Sequence, residues 1–246
     1  MGERKKYRRG RRKKKKGGII STLILIIAIA VFCVSGYQLY KIFGGYHQGK
    51  SEYDKVREVA VHGDDKDEDE FVVDFDELKK INADTVGWIR FYPEPSQISY
   101  PLVQTTDNDL YLNRTFSANE NTVGAIFVNC DNASDFSDRN TIIYGHRMRD
   151  HSMFHDLEKY KDESFWKENP YFYIYTPDGR KLTCHIYSAG IVKDTSSTYL
   201  TQFASDEEYQ AFLDDTKRAG AYHTGVEVTA DQRVVTLSTC TAASDD

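Results

Sequence analysis

Arg233-Val-Val-Thr-Leu-Ser-Thr-Cys240 is an apolar, β-branched run that ends in a thiol. Far upstream, Asn140-Thr-Ile-Ile-Tyr-Gly-His146 has the same character and ends in a histidine. Branched side chains suit a pleated surface, so both runs predict short strands. Each strand delivers one residue of nucleophilic chemistry at its end. A cysteine and a histidine distant in sequence but presented on strand ends form the pairing that activates a thiolate. Buried cysteines also finish strands without reacting, and spacing alone does not separate the two readings.

Further strands are expected at 86–91, 100–104, 124–129, 171–176, 181–192 and 226–240, the last with a turn at Asp231-Gln232. Pro177-Asp-Gly179 marks a hairpin turn, because Asp-Gly supplies the positive φ such turns need. Phe75, Leu78 and Ile81 share one face of a short helix, as do Met153, Phe154, Leu157 and Tyr160. Ser205-Asp-Glu-Glu208 reads as a capping box opening a helix that carries Tyr209, Phe212 and Leu213. Many short strands with few helices predict a mainly β fold, a single β-barrel domain.

The net charge of −6 conceals two opposite halves. Residues 1–18 hold eleven Lys/Arg and one Glu, leaving 21 of the 32 basic and 37 of the 38 acidic residues, a net of −16, for the rest. Residues 19–37 contain no charged side chain. At 1.5 Å per residue they span roughly 28 Å, near the thickness of a bilayer's hydrocarbon core. The reading is a basic cytoplasmic tail (1–18), an uncleaved transmembrane anchor (19–37) and an exported domain, oriented by the positive-inside rule. Nucleic acid is not an expected partner of the tail, because the apolar span follows it directly. Residues 38–70 read as an acidic, solvated stalk, and the folded domain is expected over 71–246.

Four cysteines are present, and Cys33 falls in the anchor. Cys130, Cys184 and Cys240 remain, so at least one thiol has no intramolecular partner; a Cys130–Cys184 disulfide stays open. Neither CxxC nor HExxH spacing occurs, so no metal or cofactor is expected. His151 and His155 are read as surface residues, and Cys130 and Cys184 as small buried hydrophobes.

The strings Thr-Leu-Ser-Thr-Cys240 and Asn140-Thr-Ile-Ile-Tyr-Gly-His-Arg-Met148 resemble the active-site strands of class B sortases, membrane-bound cysteine transpeptidases of Gram-positive bacteria. Ile81-Asn-x-Asp-x-Val-Gly-Trp-Ile89, Tyr100-Pro-Leu-Val-Gln104, Asp107-Asn-Asp-Leu-Tyr-Leu112, Gly124-x-Ile-Phe127, Ser152-Met-Phe154 and Thr224-Gly-Val-Glu-Val228 extend the likeness across the domain. The resemblance implies a closed eight-stranded β-barrel with short flanking helices and one longer helix before the Cys strand. It implies transpeptidation of secreted proteins bearing a C-terminal sorting pentapeptide. Cys240 would be the nucleophile and His146 the acid and base; the acceptor would be an amine of the peptidoglycan cross-bridge or of a pilin. By the same resemblance Asn108, Leu112, Tyr144, Tyr199, Leu200 and Ser238 flank the bound peptide.

The family's oxyanion arginine follows the cysteine by about eight residues on a final strand, and this sequence stops six residues past Cys240. The expectation from this departure is a chain that cleaves sorting peptides poorly, unless Arg147 or Arg233 supplies the charge. A membrane-tethered peptide-binding protein on the same scaffold, or a cysteine peptidase that only hydrolyses, are the alternatives.

Overall fold

The computed structural model describes residues 17–63 and 70–239. The tail (1–16), the acidic run (64–69) and Cys240 with the six residues after it lie outside them. The chain divides into two compact units after Gly44. The first holds the start of α1 (Gly17–Ala60), whose Leu23, Ile24, Phe32 and Val34 side chains are exposed. This helix is long and apolar enough to cross a membrane, by length and composition.

The second unit begins at Gly45, well before the boundary expected at 71. Residues 45–60 complete α1 and belong to the folded domain rather than to a solvated stalk. Tyr46, Gly49, Tyr53, Val56 and Ala60 recur at helical spacing, and the last four are buried. Gly49 packs on Val123, and Tyr53 donates to the Gly124 carbonyl at 2.7 Å. Burial pushes the Glu52 carboxyl up, but hydrogen bonds from Thr115, Asn119 and Ser117 outweigh it and hold the group below the usual carboxylate range. An apolar stripe this sparse is diluted by the charged residues around it, and average polarity hides it.

A small ladder joins β1 (Val61–His62) to β2 (Val72–Val73). Helix α2 (Phe75–Ile81) follows, capped by the Asp74 carboxylate accepting from the Glu77 N–H at 3.0 Å. The main sheet then forms from β3 (Thr85–Phe91), β4 (Ser99–Val103), β5 (Ile126–Val128), β6 (Asn140–Tyr144), β7 (Tyr171–Tyr175), β8 (Lys181–His185) and β9 (Val234–Ser238). Helix α3 (Glu163–Glu168) precedes β7, and α4 (Asp206–Ala219) precedes β9. Among the described residues the sheet has seven strands in the order β8-β7-β3-β4-β5-β6-β9. β4–β5 and β6–β9 are parallel, and the other pairs are antiparallel.

The sheet curls into a nearly closed barrel, and its edges β8 and β9 line one cleft of about 660 Å³. Ile89, Phe91, Leu102, Ile126 and Ile143 share one face of the sheet and fill the interior, while Trp88 is buried on the opposite face, each almost wholly buried. Burial of one such side chain contributes roughly 1.5–3 kcal/mol before entropy is counted. The Trp88 indole N–H is not stranded there, since it donates to Ser99 Oγ at 3.0 Å.

Two expected strands are shorter than the sequence suggests. The run 181–192 leaves the sheet after His185, because its next carbonyls turn to hold the α4 region. Tyr187 O accepts from Thr224 Oγ1, and Ala189 O from the Ala221 N–H. The run 226–240 pairs only from Val234 onward. Val228 packs instead with Tyr209, Phe212 and Leu213 of α4, forming a second small core. The capping box is also modified: Ser205 Oγ accepts from Glu208 N, while Glu208 reaches past Ser205 to the Ala204 N–H.

Candidate active site

His146 follows β6, and the register of β6 with β9 fixes its surroundings. The ladder runs from Asn140↔Val234 to Tyr144↔Ser238, and Gly145 N–H still donates to Ser238 O at 3.1 Å. The half-buried His146 ring has Nε2 at 2.7 Å from the Leu112 carbonyl. A carbonyl only accepts, so Nε2 carries the proton and Nδ1 is left for chemistry.

Leu112 is itself held by its neighbours. It ends a short 3-10 helix, Leu110–Leu112, whose buried Tyr111 donates to Asp84 Oδ2 at 2.8 Å and accepts from Asn82 Nδ2 at 2.6 Å. Burial pushes the Tyr111 hydroxyl up to about 12, so it stays a donor. Gly124 closes the arrangement at φ +66°. A Cβ there would lie 2.8 Å from His146 Cδ2 and 2.8 and 2.9 Å from the carbonyl oxygens of Tyr111 and Leu112. Only glycine lets the chain pass that close to the ring.

The other expected substrate contacts fall into two groups. Ser238 Oγ meets Tyr199 OH at 3.0 Å. Tyr144 OH accepts from Asn129 Nδ2 at 3.2 Å, and Asn108 sits beside Asn129 with its Oδ1 accepting from the Cys130 N–H at 2.9 Å. Leu200 is exposed, and it is the Leu200 carbonyl rather than the side chain that is anchored. Asn140 does the anchoring. Its fully buried amide donates to Leu200 O at 2.8 Å and Thr198 O at 3.2 Å, and its Oδ1 accepts from Thr236 Oγ1. The cleft between β8 and β9 includes Tyr199 and Ser238, while Asn108, Leu112, Tyr144 and His146 are not among its lining residues.

Gly124, Asn129 and Asn140 position these groups, and the sequence reading singles out none of them for that role. Gly124 and Asn140 do stand inside the motif strings, where a glycine ahead of a strand and an amide at a strand start are the available signals. Arg147 is committed elsewhere: it binds Glu158 Oε2 through a guanidinium nitrogen at 2.8 Å and through Nε at 3.3 Å, and this hydrogen bond lowers the Glu158 carboxyl from its usual range. Arg233 is exposed just before β9, roughly 20 Å of extended chain from Thr239. Cys130 and Cys184 are free thiols, not a disulfide. Burial pushes the half-covered Cys184 up to about 12. His155 is not a surface residue as expected; it is only 5 % exposed, because the short helix it opens turns it inward.

A curled seven-strand sheet with a histidine fixed at the end of an inner strand defines a barrel enzyme class, and the comparisons with known proteins identify it. A model of the sortase domain matches residues 94–246. Sortase B of Staphylococcus aureus is 31% identical over 219 residues, covering 89% of this chain and 88% of that protein. The crystal structure of sortase B from Bacillus anthracis in complex with AAEK1 superposes with a TM-score of 0.71 at 33% identity, covering 82% of this chain and 94% of the other. A crystal structure of sortase B complexed with triglycine gives a TM-score of 0.63 at 37% identity, over 68% of this chain and 77% of that one. The chain belongs to the sortase family, in its class B, and is at family level a cysteine transpeptidase.

Proposed function

We propose that this chain cleaves a C-terminal sorting pentapeptide of secreted proteins with Cys240 and transfers the acyl group to an amine of the cell-wall cross-bridge or a pilin. The observation that carries the reading is the register of β6 and β9. All five pairs, Asn140↔Val234 through Tyr144↔Ser238, share one offset of 94 residues. His146 and Cys240 are separated in sequence by the same 94 residues, so the register supports their pairing.

The Cys240 thiolate attacks the scissile carbonyl; a carbon–sulfur bond forms, the carbon–nitrogen bond breaks, and the amine leaves with a proton from His146. The incoming amine then attacks the thioester and gives its proton to His146 as the thiolate departs. With Nε2–H committed to Leu112, Nδ1 is the nitrogen that carries this proton. The related sortase B complexed with triglycine, a peptide whose N-terminus is an amine, supports amine transfer rather than hydrolysis. Tyr199, Ser238, Tyr144, Asn108 and Leu112 serve as the peptide's surroundings, with Leu200 at their rim. The basic tail and apolar helix support an anchor with its N-terminus in the cytoplasm and the domain outside.

The test compares Cys240→Ala with Cys184→Ala in a sorting-peptide assay with and without an amine acceptor. Cys240→Ala should lose thioacyl formation and methanethiosulfonate labelling entirely, while Cys184→Ala keeps both. Equal labelling of the two thiols in the wild-type chain would count against the assignment, because only a thiolate reacts quickly.

A further inference from the structure

The connection that leaves the site from His146 holds a second cluster of chemistry-bearing side chains. Phe154 N–H donates to the His146 carbonyl at 3.0 Å, and an Arg147↔Met153 bridge closes the loop between them. Immediately beyond, His151, His155 and Asp156 each bring one ligand-capable atom within 4.8 Å of the other two. The His151 and His155 ring centroids are 4.1 Å apart, and His151 Nδ1 lies 3.5 Å from Asp156 Oδ1.

Two features are poorly explained by a plain ion-pair cluster. His155 is 5 % exposed, yet its Nδ1 is buried with no hydrogen-bond partner. An orphaned buried nitrogen is costly, and native proteins avoid one unless it has a use. The other nitrogen, Nε2, faces Glu158 Oε1 at 3.2 Å. A carboxylate there draws the ring proton to Nε2 and leaves Nδ1 as a bare lone pair, which is the arrangement that prepares a histidine for a metal. Glu158 is held in turn by Arg147. Asp156 is 3 % exposed; Lys159 takes its Oδ2 at 2.8 Å, while Oδ1 has only the long contact to His151.

From this geometry we infer that His151, His155 and Asp156 form a binding site for a divalent cation of the zinc class, supported by Glu158 and Arg147. Two imidazoles and one carboxylate suit Zn²⁺ and its first-row neighbours better than Ca²⁺ or Mg²⁺, which take oxygen ligands. Zinc–nitrogen and zinc–oxygen bonds of about 2.0–2.2 Å put tetrahedral ligands roughly 3.3–3.5 Å apart. The His151–Asp156 pair already stands at 3.5 Å, and the exposed His151 is the member free to close on the buried two. A water completes the fourth position. The cation would brace the loop that begins one residue after His146, which makes it structural rather than part of the proton transfer.

The experiment titrates Co²⁺ and then Zn²⁺ into the full chain in detergent micelles, comparing wild type with His151→Asn and Asp156→Asn. Asparagine tolerates the positive φ of +66° at His151, so that variant keeps the backbone and the fold. The wild type should bind one equivalent of Co²⁺ with visible d–d bands and no thiolate-to-metal charge transfer, and Zn²⁺ should displace it and raise Tm. Both variants should bind at least tenfold more weakly, and Zn²⁺ should leave the His151→Asn Tm unchanged. A charge-transfer band would assign the metal to cysteines and overturn the inference. So would binding unaffected by either substitution, or no saturable binding at one equivalent, which would leave the cluster an ion-pair network.

Discussion

The β7–β8 hairpin and the β6–β9 pair are both ladders of five residue pairs, yet they are built from opposite kinds of information. In the hairpin, strand partners are neighbours in sequence and the turn sets their register. Gly179 sits at φ +84°, its N–H donates to Thr176 O at 3.0 Å, and Thr176 N–H pairs with Arg180 O. In β6–β9 the partners are 94 residues apart and parallel, with no turn to align them. Their register comes from side chains: Thr236 Oγ1 on Asn140 Oδ1, and Tyr209 OH on the carbonyls of Arg139 and Gln232. The first ladder is cheap to form and carries no proposed chemistry. The second costs more loop entropy, and it holds the histidine. Residues from distant parts of the chain meet only where non-local pairing is enforced.

Substitutions beside His146, on the β6–β9 ladder and in the hairpin turn should therefore differ in kind. Gly124→Ala is expected to have the largest effect, because its Cβ would displace the His146 ring and both carbonyls around it. A shift of about 1 Å at a reacting group costs roughly 100-fold in rate, with about 1–3 kcal/mol of added backbone strain. Peptide-cleavage kinetics and urea melts measure the two parts separately. A stability loss without a rate loss would show that the ring does not need this close approach.

Asn140→Ala should come next. It leaves the Thr198 and Leu200 carbonyls and the Thr236 hydroxyl without their buried partner, at about 2–3 kcal/mol. The loop bearing Tyr199 loosens, so KM for the sorting peptide should rise more than kcat falls. Gly179→Ala should be the mildest. Nothing lies within 4 Å of the added Cβ, leaving only the cost of a positive φ, about 1 kcal/mol, with activity unchanged. A rate loss there as large as that of Asn140→Ala would erase the distinction between the ladders.

The same contrast explains what the sequence made legible. Local signals were read directly: Asp-Gly for the hairpin, Ser205 as a cap, and the β-branched and aromatic runs of β3, β6 and β7. The mainly β fold and its class B likeness followed from the ordered motif strings, and the described part of the barrel has seven strands. What stayed hidden depended on distant partners. Val226 and Val228 look like strand residues, but Val228 is claimed by the apolar face of α4. Tyr53 and Val56 look like stalk residues amid charge, but the barrel buries them. At the candidate site the sequence singles out His146 at the end of its strand, whereas it gives no sign of the Leu112 carbonyl that fixes the ring's tautomer, because a backbone acceptor leaves no mark on the sequence.

The most direct test of the central proposal, that His146 and Cys240 work as a pair, replaces the histidine by a second thiol. His146→Cys in the full chain, treated with a mild oxidant and mapped by mass spectrometry without reduction, should join the new thiol to Cys240 as a disulfide in nearly every molecule. Adjacent parallel strands hold level residues about 5 Å apart, within the roughly 4.4–6.8 Å that a disulfide spans. An introduced thiol that stays free, or that pairs with Cys130 or Cys184 instead, would contradict the proposed pairing of His146 with Cys240.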